Sequence, residues 1–158
     1  MSAARTQQHV KFSVSRVIRA DRETVFDAWV NPEVRRRWWL NEKGDGPISV
    51  GIDGRLGGRY RITQTHDSAE HPEPDGYIWV IEGEFTEFDR PNRLAFTWNV
   101  NHTDEPCRDQ VVTIELTKVE EGTECVITHE GVCSEAMRRG TECGWNGMLE
   151  NLAGAIDA

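Results

Sequence analysis

The last quarter of the chain constrains the fold most. Met137, Thr141, Trp145, Met148, Leu149, Leu152 and Ile156 recur at steps of three and four. That spacing gathers side chains on one face of an α-helix. The stripe predicts a helix of about 22 residues, roughly 33 Å long. Ser134 suits its N-cap and Glu135 its first turn. A helix with one apolar stripe needs another layer to cover it.

The upstream residues supply that layer. Residues 9–19 alternate apolar and polar side chains, with Val10, Phe12 and Val14 in step, as a first strand would. Further strand-like stretches are 48–52, 59–65, 77–88, 94–100, 111–119 and 125–130. Between the first two strands, Asp21 can cap a helix that carries Val25, Phe26 and Trp29 and runs to about Val30. Asn31-Pro32 ends it, and Pro32 can open a second short helix through Trp38 and Trp39. Residues 66–75 are polar, hold two prolines, and read as an exposed loop. Short connections between successive strands favour an antiparallel meander. The expected fold is therefore α+β, a curved antiparallel sheet of six to seven strands packed on a long C-terminal helix. Two short helices lie between strands 1 and 2.

Bulk properties narrow the class. A chain of 158 residues suits one domain, 1–158, with 1–8 expected to be flexible. No apolar run approaches the roughly 20 residues of a membrane span. Residues 1–11 carry no apolar signal core, so a cytoplasmic location is expected. The net charge of −9 opposes general binding to nucleic acid or anionic lipid. Cys107, Cys125, Cys133 and Cys143 form no C-x-x-C pair and read as reduced thiols rather than a zinc site. No cofactor and no metal are expected.

Several local motifs, in order, then point to a family. They are Ala20-Asp21-Arg22-Glu23-Thr24-Val25-Phe26 before Ala28-Trp29, the Trp38-Trp39 pair after Pro32, and Gly57-Gly58-Arg59-Tyr60. Gly83-Glu84-Phe85 leads to Pro91-Asn92-Arg93-Leu94 and Ala95-Phe96-Thr97-Trp98. Thr123, Thr128-His129-Glu130-Gly131 and Gly144-Trp145 complete the set. The chain resembles the START-like (SRPBCC, birch-pollen-allergen-like) helix-grip superfamily. Within it, the chain is similar to the branch named after the activator of the heat-shock protein 90 ATPase. The resemblance covers residues from about 11 to the end and implies the helix-grip fold. It leaves activity open, because members of this superfamily act as lipid carriers, cyclases, hydrolases, co-chaperones or stress proteins.

The aromatic residues are the main functional signal. Trp29, Trp38, Trp39, Trp79, Trp98 and Trp145 are large amphipathic rings in a small domain. Trp29 reads as core. Trp38, Trp39, Trp98 and Trp145 read either as core or as the lining of a cavity, since in the resembled family the segments carrying them border one. The candidate ligand-binding set is Trp38, Trp39, Tyr60, Trp79, Phe96, Trp98, His129, Trp145 and Met148. Gly140, Gly144, Gly147 and Gly154 weaken the last helix. They imply either close packing on the sheet or volume left beside Trp145 for a ligand.

His129 shares a strand face with Cys125 and Ile127. It is either a core histidine or a polar group that bonds a ligand or moves a proton. It is the one candidate for catalysis, without a recognised nucleophile motif. Glu82 and Glu84 share a face, Glu87 takes the other unless a bulge intervenes, and all three read as solvated. His66-Asp67 and Glu70-His71 match no metal spacing. Arg35-Arg36-Arg37 reads as a solvated helix face, or as a contact for an acidic partner or a ligand carboxylate at a pocket mouth.

The leading functional expectation is a small-molecule binding domain for an apolar, aromatic or lipid-like ligand held between sheet and helix. The alternatives are a cyclase- or hydrolase-type enzyme using His129 and a co-chaperone-like interaction domain that stimulates an ATPase. A homodimer and a chaperone partner stay open as assemblies.

Overall fold

A computed structural model describes residues 10–40, 46–65, 78–100, 110–132 and 135–157. The chain runs β1 (Val10–Ile18), α1 (Arg22–Val30), α2 (Pro32–Trp38), β2 (Ser49–Ile52), β3 (Arg59–Thr65), β4 (Ile78–Asp89), β5 (Arg93–Val100), β6 (Gln110–Val119), β7 (Gly122–Val132) and α3 (Glu135–Ile156). The strands form one seven-stranded antiparallel sheet in the order β1-β7-β6-β5-β4-β3-β2. From β2 to β7 this is a meander of neighbours. β1 closes the order by pairing with β7, so Phe12 faces His129 and Ile18 faces Thr123.

The two short helices start as their sequences dictate. The Asp21 carboxylate accepts from the Thr24 N–H at 2.8 Å and caps α1. Asn31 ends α1 and caps α2, accepting from the N–H groups of Glu33 at 2.9 Å and Val34 at 3.4 Å. Pro32 follows at the first helical position, where its missing N–H leaves no helix bond unmade. Burial then draws both helices onto the sheet, with Phe26, Trp29 and Trp38 among the largest fully buried side chains. Removing a side chain of that size from water contributes about 1.5–3 kcal/mol each.

β7 begins earlier than residue 125, because pairing with β1 and β6 continues to its first residues. Gly122 makes that start possible. Its φ is +148°, and a Cβ there would lie 2.3 Å from the Ile18 carbonyl oxygen. α3 packs on β1 and α2 and buries Trp145, Leu149, Leu152 and Ala153. Its C-terminal end is tied to the end of β1, where the Arg19 N–H donates to Asp157 Oδ1 at 3.0 Å. No helix among the described residues is long and apolar enough to cross a membrane.

Candidate functional site

Pleat and register place the candidate residues on one concave face. Tyr60, Ile62 and Gln64 of β3 point inward, opposite Gly83, Ile81 and Trp79 of β4. On β5 and β6, Trp98 lies opposite Gln110, and Phe96 opposite Val112. Val112 in turn lies opposite His129, which faces Phe12. Gly83 belongs to this inner face for a steric reason, since a Cβ there would sit 2.0 Å from the Thr97 carbonyl oxygen. The face shared by Cys125, Ile127 and His129 is the inner one, and all three are fully buried.

α1, α2 and α3 bring indoles down onto that face. Trp29 packs on Trp38 at 4.8 Å between ring centroids and on Trp145 at 5.9 Å. Trp39 meets Trp38 at 5.6 Å, Trp145 at 5.8 Å and Trp98 at 6.1 Å. Trp98 and Trp145 are 5.2 Å apart, and the Trp98 ring stands edge-on to His129 at 5.7 Å. Tyr60 packs against Phe96 at 5.3 Å, and its hydroxyl donates to the Thr97 carbonyl at 2.6 Å. Burial raises the Tyr60 pKa, so the phenol stays protonated. Trp29 takes the core position expected of it. Met148 of α3 is half-buried against the core, and Trp79, half-buried on β4, lies opposite Gln64. The space bounded by Trp38, Trp39, Trp98, His129 and Trp145 is thus filled by these rings themselves.

His129 is held at both ring nitrogens. The Trp145 indole N–H donates to Nδ1 at 2.9 Å, and Nε2 lies 2.7 Å from Gln110 Oε1. Nδ1 accepts, so the proton sits on Nε2 and is donated to Gln110. Burial pushes the His129 pKa down to about 4, and the ring is neutral at physiological pH. One of these two bonds must break before His129 can exchange a proton with a ligand.

The basic run divides. Arg36 and Arg37 are exposed as expected, whereas Arg35 is only 2% exposed. Its guanidinium carbon lies 4.4 Å from the Trp39 ring centroid, 5.1 Å from that of Trp38 and 5.2 Å from that of Trp29. Nη1 donates to the Trp29 carbonyl at 2.6 Å. Nε and Nη2 are buried and have no hydrogen-bond partner among the described residues. The sequence reads the three arginines together, as a solvated face or as a contact for an acidic partner or ligand carboxylate, and burial sets Arg35 apart from the other two. The helical spacing Arg35–Trp38–Trp39 was the available signal, because residues three and four apart share a face.

The helix glycines do not do what either sequence reading required. Gly140, Gly144, Gly147 and Gly154 are exposed, and a Cβ at each would meet nothing within 4 Å. They neither pack on the sheet nor open volume beside Trp145. Glu82, Glu84 and Glu87 are all exposed, because a bulge between Phe85 and Glu87 turns Glu87 outward. There Glu87 accepts from Arg93 at 2.9 Å. A shallow depression of about 310 Å³ runs along α3 between Arg138, Arg139, Glu142, Cys143 and Asn146, and shares no residue with the aromatic cluster. Cys125 is buried and Cys143 exposed. Ser134, Cys107, Cys133, His66, Asp67, Glu70 and His71 lie outside the described residues.

A seven-stranded antiparallel sheet, two short helices after the first strand and a long C-terminal helix laid on an aromatic concave face define a helix-grip protein. Comparison with known families agrees. Residues 19–157 match the family described as activator of Hsp90 ATPase homolog 1-like protein, and the chain belongs to that family. Among solved structures, it is similar to protein CV1439 from Chromobacterium violaceum, with a TM-score of 0.78 and 23% identity over 94% of this chain and 99% of that one. It is also similar to Ms6760 from Mycobacterium smegmatis, with a TM-score of 0.75 and 17% identity over 94% of this chain and 91% of the other. A third similar structure, ChR145 from Cytophaga hutchinsonii, has a TM-score of 0.69 and 26% identity over 91% of each chain. No curated protein matches the chain significantly.

Proposed function

We propose that this chain is a small-molecule binding domain whose site is the aromatic layer between the concave sheet and α3. The observation that carries the reading is the meeting of Trp38, Trp39, Trp98, Trp145 and His129 from four separate elements and the α2 cap at one place. A layer of rings with a few polar groups suits an apolar, aromatic or lipid-like ligand. The rings fill the space between them, so binding requires some of them to turn aside. Trp98 and Met148, which are only half-buried, are the side chains freest to do so. The test is intrinsic tryptophan fluorescence during titration with a panel of aromatic and acyl compounds. A saturable change in intensity or emission maximum for at least one class is expected. Unchanged emission across the panel sinks the reading.

Family membership favours a second reading, stimulation of a chaperone ATPase by direct contact. Exposed apolar residues such as Ile48 and Leu56, 53% and 63% exposed, are the side chains such a contact would use. An ATPase assay with the purified chaperone decides it. An unchanged turnover rate at saturating domain counts against it.

A further inference from the structure

We infer that the ligand carries a carboxylate and that Arg35 is its anchor, with the apolar body of the ligand among the surrounding indoles. The inference deepens the binding reading above and rests on it. Arg35 sits on α2 with its guanidinium inside a cage of Trp29, Trp38 and Trp39. Facing rings interact with the flat surfaces of a guanidinium, and they leave its in-plane N–H groups unserved. One of those groups is served, since Nη1 donates to the Trp29 carbonyl. That bond fixes the orientation of the fork. Nε and Nη2 make up its other edge, and both are buried without an acceptor among the described residues.

That edge has a specific chemistry. Its two N–H groups run parallel and match the two oxygens of one carboxylate. No aspartate or glutamate among the described residues forms an ion pair with Arg35, although other arginines on the surface are paired. A buried cation without a counter-charge is costly, and it is one of the features proteins keep for binding rather than for stability. Burial lowers the Arg35 pKa to about 10, so it remains charged at neutral pH. A second observation points the same way. The Trp39 indole N–H, on the ring nearest the guanidinium, is also buried without an acceptor among the described residues. The paired Nε and Nη2 donors, in a cage whose Trp39 indole N–H also lacks an acceptor among the described residues, call for an acceptor-rich group. α2 packs on β2, and Val34, Val50 and Ile52 of these two elements are half-buried against the core, so the surroundings of α2 are apolar. An aryl or acyl carboxylate satisfies both the donors and this lining.

The test compares two probes of equal shape on the full chain, 2-naphthoic acid and 2-naphthamide, by calorimetry at pH 7.5. The wild-type protein should bind the acid about tenfold to a hundredfold more tightly than the amide, the range for a charge-assisted pair. In Arg35→Met, the preference for the acid over the amide should fall to about unity. Circular dichroism first establishes that the variant folds. If it does not, the wild-type acid-to-amide ratio still decides. Equal binding of acid and amide to the wild type overturns the carboxylate anchor and leaves the apolar binding site standing. A preference that persists in folded Arg35→Met also overturns it, and assigns the acid to another group. If neither probe binds, both this inference and the binding reading lose their support.

Discussion

Mild acid should destabilise this protein through His129, by an amount the structure sets. The ring is fully buried, its Nδ1 accepts from Trp145 and its Nε2 donates to Gln110. Protonation would place a charge in the aromatic core and put a hydrogen on Nδ1, where the indole already donates. Burial accordingly holds the folded pKa at about 4, against 6.5 for a free side chain. The unfolded chain then binds a proton that the folded chain refuses, so stability rises with pH across that interval. The His129 contribution is fully present above pH 6.5 and is lost as pH falls towards 4. The full difference corresponds to roughly 3 kcal/mol. At pH 5.5 the unfolded side chain is mostly protonated and the folded one hardly at all, a loss of about 1.4 kcal/mol relative to pH 8. Urea unfolding at pH 8 and 5.5 measures it, with His129→Gln as the non-titrating comparison, so that carboxylate effects common to both proteins cancel. Wild type should lose about 1.4 kcal/mol more than the variant over this range. Equal losses, or ring resonances that titrate near pH 6.5, refute the reasoning.

Three further predictions rest on other parts of the molecule. Trp145→Phe keeps most of the ring but removes the donor to His129 Nδ1, and should cost about 1–3 kcal/mol in urea unfolding; no loss would mean that the bond does not contribute. Gly144→Ala and Gly147→Ala should each stabilise α3 by up to about 1 kcal/mol, since neither new methyl meets a neighbour, and a lower thermal midpoint for either contradicts an outward placement. Cys143 should react with an aromatic disulfide reagent in the native state while Cys125, whose pKa burial pushes up to about 12, should not; peptide mapping of the labelled protein distinguishes the two, and labelling of native Cys125 refutes its burial.

Periodicity and caps carried most of the fold. Asp21, Asn31 and Pro32 set the short helices because a cap is a contact between near neighbours, visible in a short stretch of sequence. The alternation in β7 likewise grouped His129 with Cys125 and Ile127, and burial makes that face the inner one. The site was legible as a list of rings but not as an arrangement. Whether indoles fill a space or line one depends on rotamers and on elements remote in sequence, as with Trp39 against Trp98. The glycines of α3 failed as a signal for a related reason. Their composition showed a weak helix, while their direction was set by the stripe through Trp145, Leu149 and Leu152. The burial of Arg35 was not legible because a run of three like charges reads as one group, and only the turn of α2 separates one from the other two. The bulge before Glu87 left no signal beyond ordinary strand residues.

The outward glycines of α3 have a consequence for motion. Together they leave the helix about 3–4 kcal/mol less favourable in isolation than alanines would. Its helical form is therefore held by the seat of Trp145, Leu149, Leu152 and Ala153 on the sheet and by the tether from Arg19 to Asp157. An element that is stable only where it sits leaves as one piece, at a free energy below that of global unfolding. In such an excursion the helix lifts like a latch, and the indoles beneath it meet solvent while β6 and β7 remain paired. Amides of α3 should then exchange together and well ahead of those in the central strands, giving the aromatic layer an intermittent door in a fold that otherwise keeps it shut.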